Sequence, residues 1–265
     1  MNRLPLVWQI LDTCCHDEDQ INLIKSLLGN QTHASDLDVT RHMGQVLKLD
    51  EFDKVLDITS GDGGGDVMLS QTYGCQVVGL TNSEDQLSIA RRTAFKSKSF
   101  EKVTFKLGNI SDLPFLNDSY DIVLCESALS SFPDKDKVID EIRRVLRPGG
   151  RTGIIDVTLE RELPLELAHV AAMVPSFNLT FPSDGYRDIF EDHEFGNVEI
   201  EDLTGVLADT IRTLQIKVMM ARLAASNDVF QMDSSAFEAT HDLISLISQS
   251  VTEGDLSFIM LTAVN

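Results

Sequence analysis

Positive charge is what this chain most lacks. Its 265 residues hold 22 Lys and Arg against 42 Asp and Glu, for a formal net charge of -20 and a pI near 4.5. A surface of that average sign repels phosphate backbones and anionic bilayers, so neither a nucleic acid nor a membrane is the expected partner. Cysteine is scarce as well. The four present, with Cys14 and Cys15 adjacent, make no disulfide framework, and the expected setting is cytoplasmic. A soft-metal site at Cys14-Cys15-His16 would need further ligands at a supporting spacing, and no such spacing is present, so no metal is expected. No apolar run approaches the ~18 residues of a membrane span. Met1–Cys15 lacks the small-residue cleavage site of a signal peptide. Internal repeats and low-complexity tracts are missing too.

What is present is a regular alternation of short apolar runs and helical periods, in a chain 43% hydrophobic and therefore able to build a sizeable core. Strands are expected near 53–58, 75–81, 103–107, 120–125, 152–156, 198–203 and 257–264. Helices are expected near 3–29, within 30–52, and near 66–72, 84–97, 134–146, 164–174, 185–194, 206–225 and 236–250. Alternating strands and helices predict an α/β fold, a doubly wound and mostly parallel sheet with right-handed crossovers. Arg147-Pro148-Gly149-Gly150 reads as a sharp stop and turn before the fifth strand.

The organising stretch is Lys54–Asp66, K-V-L-D-I-T-S-G-D-G-G-G-D. A buried strand (Val55–Ile58) runs into Gly61, Gly63, Gly64 and Gly65, and a helix follows. That order builds a nucleotide-binding crevice at the carboxyl end of the strand, where glycines allow positive φ and close approach. It is not the dinucleotide fingerprint, because Asp66 stands where the third glycine of G-x-G-x-x-G belongs. Asp57 and Asp62 would also repel a pyrophosphate. They suit a ligand with an ammonium group and hydroxyls.

Val55–Gly64 resembles motif I of the class I S-adenosylmethionine-dependent methyltransferases. Gly108-Asn109-Ile110-Ser111-Asp112-Leu113-Pro114-Phe115 is similar to that family's G-D-A-x-x-L-P-F segment, and Arg147–Gly150 to its L-x-P-G-G segment. The matches cover roughly residues 30–200. The resemblance implies a seven-stranded sheet with its last strand antiparallel. An N-terminal helical cap is expected over 1–50 and a methyltransferase domain over 51–265; the helices at about 206–250 exceed the family's minimal fold and are expected to form a cap or a contact with a second copy. S-adenosylmethionine is the implied cofactor and a small molecule the implied methyl acceptor.

The resemblance carries roles onto particular residues. Asp57 and Thr59, with Gly61, Gly63 and Gly64, would order the loop at the methionine end. Thr81, Asn82 and Gln86 stand where the family usually has an acid on the ribose diol. Asn109 would meet the adenine amino group and Ile110 cover its face. Glu126, after strand four, could touch both cofactor and acceptor. Asp156 and His169 are the other candidates for acid–base work. From the pre-strand helix, Thr40 and Arg41 could reach the methionine end.

A narrower likeness, through Ser35–Leu49, Cys125–Lys135 and Ile155–Thr158, resembles a branch near the arsenite methyltransferases. Members of that branch have Cys where this chain has Ser127 and Ser130, so the soft ligands for arsenic are missing. Two other functions fit the same fold: a non-catalytic binder of S-adenosylmethionine or S-adenosylhomocysteine, and an NAD-type oxidoreductase of related topology.

Overall fold

The computed structural model describes residues 33–163, 180–225 and 234–265. The helix expected over 3–29, the helix expected over 164–174 and His169 lie outside the described residues. Seven strands form one sheet: β1 (Lys54–Asp57), β2 (Gln76–Thr81), β3 (Val103–Leu107), β4 (Tyr120–Glu126), β5 (Leu146–Leu159), β6 (Gly196–Asp202) and β7 (Leu256–Val264). Their order is β3-β2-β1-β4-β5-β7-β6, and only β7 runs antiparallel to its neighbours. The chain reverses direction across the sheet between β1 and β4, which opens a crevice at their carboxyl ends.

Helices cover both faces: α1 (His33–Val46), α2 (Gly64–Tyr73), α3 (Glu84–Lys96), α4 (Lys135–Val145), α5 (Ser183–Asp192), α6 (Thr204–Ala225) and α7 (Ser234–Glu253). Successive side chains of a strand point to opposite faces, so each central strand feeds two cores. Val55, Ile122, Leu124 and Ile155 pack under α1, α2 and α3 with Met43, Leu69 and Ala90. Leu56, Val123, Cys125 and Ile154 pack on the other side with Ile139, Ile142, Tyr186 and Phe190 of α4 and α5. In α6, Leu207, Ile211, Leu214 and Val218 recur at helical spacing and are buried.

One boundary departs from expectation. The turn at Arg147–Gly150 lies within β5, not before it. Leu146 already pairs with Tyr120, and pairing resumes at Arg151 opposite Ile122, so four residues loop out against one. Gly149 takes φ 77°, and the loop is tied to the C-terminus by Gly149 N–H to Asn265 O at 2.7 Å. Burial of Leu146 against α4 keeps the first residue in the ladder, which a local turn signal does not anticipate.

Candidate functional site

The site is built at the carboxyl ends of β2, β1, β4 and β5, which parallel pairing brings to one end of the sheet. Where β1 ends, Gly61 and Gly63 take φ values of 55° and 79°, a region that costs an L residue about 1–2 kcal/mol. Gly63 is the N-cap of α2. A Cβ built there would lie 2.6 Å from the Phe105 ring and 3.1 Å from Ala90 Cβ. The turn is thus pressed onto the sheet with room for no side chain. Asp62 Oδ1 accepts from Gly64 N–H at 3.0 Å, closing the loop into the helix start.

Asp66 explains its place in the sequence. It is buried in the first turn of α2, and its carboxylate accepts from the Ser60 hydroxyl at 2.7 Å. A carboxylate there also faces the positive end of the helix dipole. Where a third glycine would let the helix approach the strand, this chain uses an Asp–Ser brace. Close approach is supplied instead by Gly79 of β2, whose Cβ would meet Ser60 Oγ at 2.3 Å.

From Asp57 a hydrogen-bonded chain crosses the crevice. Asp57 Oδ1 accepts from Thr59 N–H at 2.8 Å and from the Thr59 hydroxyl at 3.1 Å. Thr59 Oγ1 accepts in turn from Glu126 N–H at 2.8 Å. Glu126 Oε2 accepts from the Thr40 hydroxyl at 2.8 Å, a contact spanning 86 residues of sequence. Asp57, Glu126 and Thr40 are all buried. Thr40 therefore brings α1 into the site. Arg41 does not follow: its guanidinium pairs with exposed Asp38 of the same helix.

Ser127, directly after Glu126, sits at φ 56° with its N–H on Ile155 O at 2.5 Å. A non-glycine residue in that region stores about 1–3 kcal/mol and is held there by its surroundings. There the chain leaves β4 and enters the 3₁₀ turn at Leu129–Ser131.

At β2, the Thr81 hydroxyl donates to Gln86 Oε1 at 3.1 Å and accepts from Ser83 N–H at 3.2 Å. Ser83 caps α3 by accepting from Gln86 N–H. Asn82 is exposed beside them. Thr81 and Gln86 thus form one neutral unit at the strand end. Asn109 uses its Oδ1 in its own turn, accepting from Ser111 N–H at 2.9 Å, which leaves the amide nitrogen to face outward chemistry. Ile110 is buried in the apolar cluster with Leu80 and Leu113.

Asp156, a candidate for acid–base work from the sequence, is the hub of a buried network. Its carboxylate accepts from Ser130 N–H at 2.6 Å, the Ser130 hydroxyl at 2.9 Å, Val157 N–H at 2.9 Å and Tyr186 OH at 3.3 Å. Burial pushes its pKa up, against the lowering effect of those donors. With four donors on two oxygens, its geometry is that of a tie between β5, the 3₁₀ turn at Leu129–Ser131 and α5. Lys135 lies over the same turn, donating to Phe132 O at 3.0 Å, with its pKa lowered by burial. Sequence reasoning missed Ser130 and Tyr186 as partners of Asp156. No local signal carries them, since they lie 26 and 30 residues away. Among the described residues no cluster of His, Cys, Asp and Glu is arranged to hold a metal.

Comparison with known proteins agrees with this architecture. The family model described as "Methyltransferase domain" matches residues 49–194, more than half of the chain. Aspergillus sclerotiorum O-methyltransferase resE is 26% identical over 185 residues, covering 68% of this chain and 69% of that protein. Arsenite methyltransferase of Halobacterium salinarum is 36% identical over 112 residues, covering 42% of this chain but only 28% of its own length. Among solved structures, Haemonchus contortus phosphoethanolamine N-methyltransferase 2 superposes with a TM-score of 0.77 at 18% identity, covering 98% of this chain and 60% of that one. The glycine turn, the strand order and the family match lead to one conclusion: the chain belongs to the methyltransferase-domain family.

Proposed function

We propose that the protein transfers a methyl group from S-adenosylmethionine to a small-molecule acceptor. The observation that carries this reading is the mouth at the end of β1. There two left-handed glycines, one packed without room for a Cβ, open onto the carboxylates of Asp57 and Glu126. Two carboxylates, Asp57 held by Thr59 and Glu126 held by Thr40, suit an ammonium and a sulfonium. They do not suit a pyrophosphate, and this disfavours an NAD-type reading.

The residues fit such a donor. Gly61, Gly63 and Gly64 would lie against its methionine part, with Asp57 and Thr59 fixing the loop. Thr81 and Gln86, as a neutral pair, would meet the ribose hydroxyls. Asn109 would meet the adenine edge, with Ile110 beneath it. When bound, the sulfonium supplies an already activated methyl group for in-line displacement. What this chain must add is alignment and a dry crevice, effects worth up to about 7–11 kcal/mol in favourable cases. Thr40 holds the Glu126 carboxylate on the acceptor side, where it can orient an acceptor hydroxyl or amine and take its proton. Asp156 positions the turn at Ser130. In the absence of Cys at 127 and 130, an arsenic acceptor is disfavoured.

The likeness to an O-methyltransferase and to a phosphoethanolamine N-methyltransferase supports an oxygen or nitrogen acceptor of small size. Exposed Ile216, Met219 and Met220 on α6 support a contact between two copies through the α6–α7 pair. Isothermal titration with S-adenosylhomocysteine and with NAD tests the cofactor reading. The first should bind and the second should not. Binding of NAD alone would overturn it.

A further inference from the structure

The net charge of -20 conceals a region of the opposite sign. Between Arg91 and Lys106, six residues are basic (Arg91, Arg92, Lys96, Lys98, Lys102 and Lys106) and only Glu101 is acidic. Five of them lie on α3 and in the turn leading into β3, and Lys106 lies in β3 itself. Among the described residues, none of the six has a carboxylate partner: Lys102 donates to Gly74 O at 2.7 Å, and Lys106 sits 5.0 Å over the Phe115 ring.

Three phenylalanines stand in or beside this region. Phe95 is 71% exposed and Phe100 53%, their rings 6.1 Å apart. Phe52, 85% exposed, precedes β1. Its neighbour Glu51 packs against Gly74, the residue that Lys102 also reaches, so the surface is continuous. The stretch from Phe95 to Lys102 lies at the amino end of β3, and Phe52 and Gly74 precede β1 and β2, so this surface is at the end of the sheet opposite the crevice; Lys106, near the carboxyl end of β3, is not part of it.

We propose that this rim docks the protein on an anionic lipid bilayer. Exposed phenyl side chains flanked by unpaired cations have the composition that enters the boundary between headgroups and acyl chains, and each cation adds attraction to acidic headgroups. The acidic remainder of the surface does not forbid this. At about 0.15 M salt the screening length is about 8 Å, so a bilayer touching the rim responds mainly to the rim, where five cations from Arg91 to Lys102 outnumber the exposed acids Asp50, Glu51 and Glu101. A protein partner would need pockets for three separate rings, whereas a bilayer accepts them in any arrangement. Docked this way, the crevice faces water.

Co-sedimentation of the full chain with vesicles tests the proposal. Phosphatidylcholine alone is compared with phosphatidylcholine containing about one third phosphatidylserine. The wild type should sediment with the second and not with the first. R92Q/K96Q/K98Q should lower that partition by at least about tenfold, and F95S/F100S should also reduce it. All these positions are exposed and outside the crevice, so circular dichroism and S-adenosylhomocysteine titration should stay unchanged. The proposal is overturned if the wild type stays in the supernatant, if it sediments equally with neutral vesicles, or if both variants sediment like the wild type. It is also overturned if the variants abolish only a concentration-dependent dimer or the binding of a nucleic-acid duplex, without any vesicle binding.

Discussion

Replacing Gly63 by Ala tests the packing of the mouth. Two costs add at this position. The first is conformational, since φ of 79° disfavours an L residue by about 1–2 kcal/mol. The second is steric, since the new Cβ would stand 2.6 Å from the Phe105 ring, closer than real contacts, and overpacking of this kind costs about 1–3 kcal/mol. The sum is about 2–5 kcal/mol. For a domain of this size that corresponds to a fall in melting temperature of about 4–20 °C. The two parts are separable. Phe105→Leu shortens the side chain that the Cβ meets, so the double variant should recover the steric part and leave the conformational one. Thermal and denaturant unfolding of the wild type, both single variants and the double variant form a cycle with an expected coupling of about 1–3 kcal/mol. Strict additivity, or a G63A protein melting with the wild type, would refute the reasoning that backbone, not side chain, fills this corner.

Other consequences can be measured in the same way. Thr40→Val removes the hydroxyl that holds Glu126 and should weaken S-adenosylhomocysteine binding by about tenfold, equivalent to about 1.4 kcal/mol. Calorimetry with unchanged affinity would argue against a role for α1 in the site. Asp156→Asn puts an amide NH₂ among four donors and should cost about 2–4 kcal/mol in urea unfolding, while Ser130→Ala, which removes one of them, should cost about 1 kcal/mol. Equal losses would contradict the hub arrangement. His193 carries its two ring nitrogens on Asp140 at 2.9 Å and Asp136 at 3.0 Å. Burial disfavours its charge, but the two carboxylates outweigh that and raise its pKa. The stability the wild type holds over His193→Gln should therefore be full below about pH 6.5, the unfolded value, and fade as pH rises through the folded pKa. Both carboxylates are largely exposed, so the effect should stay under about 1 kcal/mol, and a stability difference that grows with pH would be the wrong sign.

The sequence by itself determined the alternation of strands and helices, the position of the glycine mouth and the segments at Asn109–Phe115 and Arg147–Gly150. These features are local: a period of two or 3.6, a run of glycines or a proline imposes itself within a few residues. It also carried the family resemblance, because those segments keep their order along the chain. Tertiary structure alone decided which polar groups meet. The Thr40 hydroxyl reaches Glu126 across 86 residues, and Ser130 and Tyr186 converge on Asp156 from two separate elements. It also decided that Asp66 braces Ser60 and that the turn at 147–150 lies inside β5. Even charge divides this way. Composition supplies the total of -20 and the sequence the run of cations from Arg91 to Lys102, but only the fold sets that run at the end of the sheet away from the crevice. A side chain's partner depends on where distant segments pack, and nothing in the residues adjacent to it encodes that distance.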